Sequence, residues 1–305
     1  MTYNSASVIE ACLDALGRQA PQARVVVVDN ASADDTVARV RRNAAVVCIA
    51  NTSNRGFAAA VNQGAKEAAD AGFVLLLNPD VELTTPLGPL IEACQTHGLS
   101  AGQLTDSSGH PQAGFTIRRF PTASTLIFEL FGLNRLWKSN PVNRRYRYLD
   151  RDLQQSGPVE QPAGAFLMIR RDVWDRLGGM DESFYPVWFE DVDFCRRASD
   201  LGLRAEYVPS VTARHKGAHA VHQLSTGCRM RYWCDSLLNY ASKHFLAKQY
   251  TGVCAAVAIS SVARGLAGIF RERGLDSLTV SMRIALGATR RLLSGWAGQF
   301  AGGGD

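Results

Sequence analysis

The sequence predicts an α/β fold: a parallel-centred mixed sheet flanked by helices, followed by a helical C-terminal extension. Three observations carry that reading. The first part of the chain alternates helix-period and strand-period segments. Its strand segments are continuous apolar runs, the pattern of strands covered on both faces. Each run stops abruptly in polar residues, at Asp29-Asn30, at Asn51 to Asn54 and at Asn78 to Asp80. In such sheets ligands sit outside the carboxyl ends of the strands, so these polar endings converge on one edge.

The elements follow in order. Apolar residues at 8, 9, 12, 13 and 16 predict a helix over Ser7 to Leu16, capped by Ser5 or Ser7. Arg24 to Val28 is a β-branched strand. Asp34-Asp35-Thr36 opens a helix over Val37 to Arg42, and Ala45 to Ala50 is a second strand. An Ala-rich helix over Phe57 to Asp70 leads to the third strand, Phe73 to Leu77. Ser100 to Gln112 reads as loop or hairpin, Phe120 to Trp137 as a helix, and an Arg-rich loop runs to Gly157-Pro158. Gly164 to Arg170 is a strand, and Asp172 to Leu177 a short helix broken by Gly178-Gly179. Glu190 to Leu201 is a helix with acids in its first turn, stopped by Gly202. Arg204 to Val208 is a strand, Arg214 to His222 a His-rich loop, and the tail from Arg229 is helical. The division is therefore 1–228 and 229–305. In the tail, Leu278, Met282, Leu286, Leu293 and Trp296 share one face and Arg283 and Arg290 another. That pattern suits a helix lying on a membrane surface, or one packed on its own core.

Composition bounds the function. With 305 residues, 46% hydrophobic and 20% charged, the chain is neither disordered nor fibrous. No stretch long enough to span a bilayer is uniformly apolar; the nearest, Thr251 to Phe270, is rich in Ala, Gly and Ser and contains Arg264. Tyr3 to Glu10 is polar and does not read as a secretory leader. The seven cysteines are scattered without a CxxC pair, as expected for reduced thiols in a cytoplasmic protein. The net charge of +5 is uneven: Arg135 to Arg151 holds six Arg or Lys and one acid. This asymmetry fits an anionic partner, a phosphate-bearing substrate or a lipid surface; it also fits plain solvated basic faces. No nucleic-acid motif lies among the basic stretches, so no nucleic-acid partner is expected.

Several residues could carry chemistry. Asp29, at a strand end, suits contacts to a pyrimidine N–H or ribose hydroxyls, continued by Asn30 and Ser32, and equally suits a helix cap or Asx-turn. Asn54-Arg55-Gly56 precedes a helix start, where Gly allows close backbone approach and the helix N-terminus favours phosphate. Asp80 suits an Mg or Mn ion, which prefers oxygen ligands and takes a few carboxylates plus substrate phosphates; Asn-Pro-Asp is also an ordinary turn. Glu190 and Asp191 could serve catalysis or simply favour a helix start. Trp188 could wall a sugar subsite or belong to the core. Gly164 and Ala165 could admit an acceptor close to the backbone or merely begin a strand.

Six stretches stand in order: TYNS (2–5), VVDNASADDT (27–36), NRGFAAAVNQG (54–64), LLLNPDV (75–81), GAFLMIRRDVWDRLGGMDESFYPVWFEDVDFCRR (164–197) and YVPSVTARHKGAH (207–219). Together they resemble family 2 glycosyltransferases of the GT-A, Rossmann-like, nucleotide-sugar-binding type, over about residues 1 to 245. NPD and FTIRRFPT (115–122) make the resemblance closest to the rhamnosyltransferase-like branch. It implies an inverting transfer of a sugar, such as L-rhamnose from dTDP-rhamnose, to a polyprenyl-diphosphate-linked saccharide or surface glycan. It places Thr2, Tyr3, Asn4, Asp29, Asn30, Ser32, Asn54, Arg55, Gly56 and Asn78 at the donor, and Gly164, Ala165 and Trp188 at the acceptor or sugar. It makes Asp191 the base, beside Glu190, and gives His215 a metal or diphosphate contact next to Asp80; Lys216, His219 and His222 are weaker candidates. The family often has Asp where this chain has Asn78, which lowers the charge available to a metal. Family members also carry an apolar strand directly before TYN, whereas this chain has Met1-Thr2 there; a gap beside Val25 to Val28 and poor stability or activity are expected. The other function classes are a nucleotide-sugar-binding protein without turnover and a nucleotidyltransferase; Glu190-Asp191 weighs against both.

Overall fold

A computed structural model describes residues 1–217, 224–272 and 276–301. In chain order the elements are α1 (Ile9–Gln19), β1 (Val25–Asp29), α2 (Thr36–Arg41), β2 (Val46–Ala50), α3 (Phe57–Glu67), β3 (Phe73–Leu77), β4 (Val81–Leu83), α4 (Gly88–His97) and β5 (Leu99–Thr105). There follow β6 (Ile117–Arg118), α5 (Ala123–Leu130), α6 (Leu133–Leu136), α7 (Pro141–Tyr146), β7 (Gly157–Val159), β8 (Gln161–Pro162), β9 (Phe166–Arg170) and α8 (Arg171–Leu177). Last come α9 (Glu190–Asp200), β10 (Ala205–His215), α10 (Thr226–His244), α11 (Ala247–Glu272) and α12 (Asp276–Ala301). The chain divides into two units, Met1–Phe120 with Arg145–Gln223, and Pro121–Arg144 with Leu224–Asp305. The 228/229 division expected from sequence falls inside α10, and residues 121–144 group with the C-terminal helices.

In the first unit the main sheet runs β3-β9-β5-β10-β4, with β7 also on β10. It is mixed, as expected. Among the described strands, the parallel pairs are β5 with β10 and β1 with β2. The last two form a separate two-stranded sheet. Between β1 and β3 lies an apolar cavity of about 680 Å³, walled by Leu13 of α1, Val26 and Val28 of β1, Ala60 of α3, and Val74 and Leu76 of β3. At its mouth Thr2 pairs with the end of β1: its N–H donates to the Val28 carbonyl and its carbonyl accepts from Asn30, both at 2.9 Å.

Several expectations need correction. Ser100 to Gln112 begins in the fully buried strand β5 and only then turns back as the hairpin, with the Asp106 N–H donating to the His110 carbonyl and the Gln112 N–H to the Leu104 carbonyl, both at 2.9 Å. The LSAGQLT sequence of β5 lacks β-branched aliphatics because space is short: a Cβ at Gly102 would lie 2.2 Å from the Phe166 ring and 2.5 Å from the Val211 carbonyl. The strand expected to end at Val208 continues to His215 through a register shift between Val208 and Thr212; a bulge absorbs Pro209 and Ser210 without ending the strand. Phe120 to Trp137 splits into α5 and α6, and the Arg-rich segment contains α7. At α1 neither Ser5 nor Ser7 caps by its hydroxyl; the Ser5 carbonyl accepts from Val8 and Ile9.

In the second unit, Thr122 and Ser225 cap α5 and α10 by accepting from Thr125 and Cys228 N–H. Buried Cys234, Leu237, Tyr240, Val253 and Val257 form its core. Ala247–Gly268 of α11 is long and apolar enough to cross a membrane by length and composition, yet 44% of its most apolar stretch is buried. Its Arg264 donates to the Leu130 carbonyl at 2.9 Å. On α12 Ile284, Ala285 and Ala288 are buried, while Met282, Leu286 and Leu293 are exposed; of the expected stripe, Leu278 packs beside Gly265 of α11. The Trp296 side chain lies outside the described residues. All seven cysteines are free thiols.

Candidate active site

The apolar run Phe73 to Leu77 forms β3, and the next four residues turn the chain into β4. The Val81 N–H donates to the Asn78 carbonyl at 3.1 Å, so Asn78-Pro79-Asp80 is a β-turn. The third position of the turn presents the Asp80 carboxylate. The β4 strand pairs with the end of β10, Val81 opposite His215, which sets Asp80 Oδ2 3.5 Å from His215 Nε2. Both side chains are buried, at 4% and 3% exposure.

The imidazole is oriented from its other side. Gln112 Nε2 donates to the His215 carbonyl at 2.9 Å, which turns Gln112 Oε1 toward His215 Nδ1, also at 2.9 Å. Nδ1 therefore carries the proton and Nε2 presents a lone pair toward Asp80. Phe115 stacks on the ring, with centroids 4.9 Å apart and planes at 17°. Burial lowers the His215 pKa, and Asp80 opposes that shift. A carboxylate and an imidazole lone pair suit a divalent cation whose remaining ligands are phosphate oxygens and water. Among the described residues no cluster of three or more His, Cys, Asp or Glu is present. His215 is thus the buried last residue of a strand, not a loop residue. Lys216 is tied to Glu82 at 2.9 Å, and His219 and His222 lie outside the described residues.

The loops at the ends of β1 and β2 form a second part of the rim. Asp29 is 1% exposed and accepts from Thr2 Oγ1 at 2.9 Å and from Ser32 N–H at 2.8 Å. Its carboxylate therefore holds the turn together. The Ser32 hydroxyl, which also donates to Asp29, accepts from the Asn4 N–H at 2.8 Å, and Asn4 Oδ1 accepts from Ala33 at 2.7 Å. Tyr3 lies between these contacts, half-buried. Asn30 is fully buried; its Nδ2 donates to the Gly56 carbonyl at 2.9 Å and its Oδ1 accepts from Asn51 Nδ2 at 3.1 Å. Gly56 has φ +85°, and a Cβ there would lie 2.9 Å from the Tyr185 ring and 3.2 Å from the Pro186 carbonyl. Glycine alone meets both demands comfortably. Asn54 and Arg55 are exposed on this loop.

The third part comes from α9 and β9. Asp191 Oδ2 accepts from the Gly164 N–H at 2.8 Å, and its Oδ1 from its neighbour Val192 at 2.8 Å. Gln161 Nε2 approaches Oδ2 at 3.4 Å. One residue along, the Ala165 carbonyl accepts from the Asn78 N–H at 3.1 Å. The pair Gly164-Ala165 therefore joins the Asp80 turn to Asp191. Burial raises the Asp191 pKa, while the Gly164 and Val192 hydrogen bonds and the Arg118 charge pull it down. Glu190 is 5% exposed and its Oε2 has no hydrogen-bond partner. Burial, then the Asp191 charge, push its pKa well above the usual range, which favours the neutral acid. Half-buried Trp188 and buried Phe189 have φ of 80° and 70°, a costly conformation for bulky residues that clusters at functional sites.

Sequence reasoning missed Gln112, Phe115, Arg118 and Gln161. The FTIRR segment was a signal for two of them. Gln112 and Gln161 carry none, since each acts through a partner remote in sequence.

The fold is that of the GT-A class. Residues 1–178 match the model of "Glycosyl transferase family 2", and the chain belongs to that family. It is 30% identical over 213 residues to the N-acetylglucosaminyl-diphospho-decaprenol L-rhamnosyltransferase of Mycobacterium tuberculosis H37Rv, covering 64% of this chain and 67% of that protein. It is 27% identical over 157 residues to the rhamnosyltransferase WbbL of Escherichia coli K12, covering 50% of this chain and 54% of WbbL. In fold it is similar to the mannosyltransferase PcManGT of Pyrobaculum calidifontis, solved with GDP-Man and Mn2+. That match has a TM-score of 0.51 at 18% identity and covers 96% of this chain and 85% of that one.

Proposed function

We propose that this glycosyltransferase moves L-rhamnose from dTDP-rhamnose, with inversion, to a hydroxyl of a polyprenyl-diphosphate-linked saccharide such as an N-acetylglucosaminyl diphosphate lipid. The rhamnosyltransferase relatives support the sugar and the acceptor class. The observation that carries the site assignment is the Gly164-Ala165 link between the Asp80 turn and Asp191. It sets a candidate base beside a candidate diphosphate edge.

In this reading the loops holding Thr2, Tyr3, Asn4, Asp29, Asn30 and Ser32 shape the nucleoside pocket, and Asn54, Arg55 and Gly56 meet the donor phosphates. Asn78 offers a neutral amide to the donor. Asp80 and His215 Nε2 would hold an Mg or Mn ion, whose charge would stabilise the departing nucleoside diphosphate. Asp191 takes the proton of the acceptor hydroxyl as that oxygen bonds to the anomeric carbon. The bond from the anomeric carbon to the diphosphate oxygen breaks on the opposite face, so one displacement inverts the centre. Gly164 and Val192 orient the carboxylate, and Trp188 walls the sugar subsite.

The proposal includes peripheral contact at the cytoplasmic face of the cell membrane. Its support is the tip Arg135-Leu136-Trp137-Lys138, where Leu136 is 83% and Trp137 59% exposed. The tip's backbone is held by buried Asn140, whose Nδ2 donates to the Trp137 carbonyl and to Asn134 Oδ1. An apolar tip between two cations suits anionic headgroups. A thermal-shift panel of UDP-, dTDP- and GDP-sugars with Mn tests the donor. Selective stabilisation by dTDP-rhamnose is expected; a UDP- or GDP-sugar giving the larger shift refutes the assignment.

A further inference from the structure

We infer that Arg118 and Arg147 form a phosphoryl-anion subsite on the acceptor side of Asp191. This rests on the reading of the acceptor as a diphosphate-linked saccharide. The two guanidinium groups converge on one atom: Arg118 Nε donates to the Gly114 carbonyl at 2.8 Å and Arg147 Nη1 approaches it at 3.4 Å. Both also lie over the Tyr146 ring, at 5.8 and 5.9 Å from its centroid. Two cations held on one carbonyl and one ring repel each other, and an anion bound between them relieves that repulsion.

Two neighbouring arginines differ from Arg118 in their partners. Arg119 is paired with Asp150 at 3.1 Å, and Arg151 donates to the Pro158 and Gln155 carbonyls. Arg118 makes no ion pair among the described residues, and its Nη atoms make no hydrogen bond among them. A guanidinium anchored through Nε presents its two Nη atoms as a fork, the geometry that takes phosphate oxygens.

Position assigns the anion to the acceptor. Arg118 on β6 pairs with Gln161 on β8, and Gln161 reaches Asp191 at 3.4 Å. Arg118 thus lies one strand away from the group that must touch the attacking hydroxyl. In a sugar linked to diphosphate, the anion lies one pyranose ring from that hydroxyl. The donor diphosphate already has the Asp80–His215 edge. Arg118 also packs on Phe115, at 5.6 Å, and Phe115 on His215, so the anion subsite and the metal edge share one stack of side chains.

The test uses two acceptors with the same sugar, N-acetylglucosamine carrying decyl diphosphate or a neutral decyl group. The wild type should prefer the diphosphate by about 10- to 100-fold in kcat/KM, the worth of hydrogen bonds to a charged group. Arg118→Gln and Arg147→Gln should each lower that preference by about tenfold. Any effect of Arg118 through Asp191 acts on both acceptors and cancels in the ratio. An unchanged ratio in both variants overturns the subsite, as does a rise confined to the donor KM. Retained dTDP binding by calorimetry certifies folding, and Arg147→Gln carries the test alone if Arg118→Gln fails it. If the wild type uses neither acceptor, the acceptor reading has failed. Pyrophosphate titrated into protein saturated with dTDP and Mn then reads the subsite itself: weaker binding in the variants sustains it, and equal binding overturns it.

Discussion

The Gly164 N–H donates to Asp191 Oδ2 at 2.8 Å, and a Cβ on Gly164 would stand 3.0 Å from the Asp191 Cβ. The carboxylate is positioned by a backbone that leaves no room for a side chain. Gly164→Ala must push Asp191 by a few tenths of an ångström. Because misplacement by about 1 Å costs about 10²-fold in rate, a loss of about tenfold in kcat is expected, with dTDP affinity unchanged. Equal kcat in steady-state assays would show that the contact does not position the base.

Glu190 and Asp191 should respond differently to amide substitution. Glu190 is buried and favoured as the neutral acid, so Gln reproduces the charge of that form, and Glu190→Gln should keep kcat within about threefold, far from the 10²–10⁴ of a lost base. Stability carries a second signature. The folded pKa of Glu190 lies above its unfolded value, so its burial favours folding below the ordinary Glu range, and that benefit is lost as pH rises through the folded value. The melting temperature of Glu190→Gln should therefore gain on the wild type as pH rises above the ordinary Glu range. Parallel Tm–pH curves would show Glu190 ionised.

The rate should fall on the acid side. A base must be deprotonated, and burial raises the Asp191 pKa, so the limb should lie above the ordinary Asp value of about 3.9. Arg118 counters that shift, and Arg118→Gln should move the limb to higher pH. A limb that moves down, or stays, in a kcat–pH profile would detach Arg118 from Asp191.

In the proposed reading Asn78 stands two residues before Asp80, whose carboxylate lies 3.5 Å from His215 Nε2 and would hold the cation with it. Asn78→Asp adds an oxygen ligand and a charge, and should tighten Mn binding by about tenfold. Electron paramagnetic resonance of free Mn reads this without turnover; unchanged affinity would place the cation elsewhere.

The cavity between β1 and β3 should accept a strand. Extending the chain upstream of Thr2 with a Val/Ile segment buries several side chains at about 1.5–3 kcal/mol each, or about 10 °C in Tm. A Gly/Ser segment of equal length should give no gain. Equal Tm values in calorimetry would show that the slot is not a strand site, and that low stability is not expected from it.

Legibility in the sequence followed locality. Phe73 to Leu77 was readable because five apolar residues end at a turn, and Asp80 because a carboxylate there has a chemical use. The β5 strand was not, since Gly102 serves packing against Phe166 and Val211. The burial of His215 was hidden because Pro209-Ser210 looks like a strand end, whereas a bulge carries the strand through. Arg118 carried a signal in FTIRR, but its place beside Gln161 was hidden because the two meet only through the two-residue strands β6 and β8. Asp29 was legible as a carboxylate at a strand end able to hold an Asx-turn, as its contact with the Ser32 N–H shows, but its saturation by Thr2 as well depends on a loop closed across remote segments.

The central claim is that Asp191 is the base of a single displacement. Asp191→Asn, loaded with dTDP-rhamnose and Mn and mixed with the decyl-diphosphate acceptor, tests it in one turnover. The account predicts a transfer rate about 10³-fold below wild type with dTDP-rhamnose affinity within about threefold. Transfer within about tenfold of wild type would contradict it.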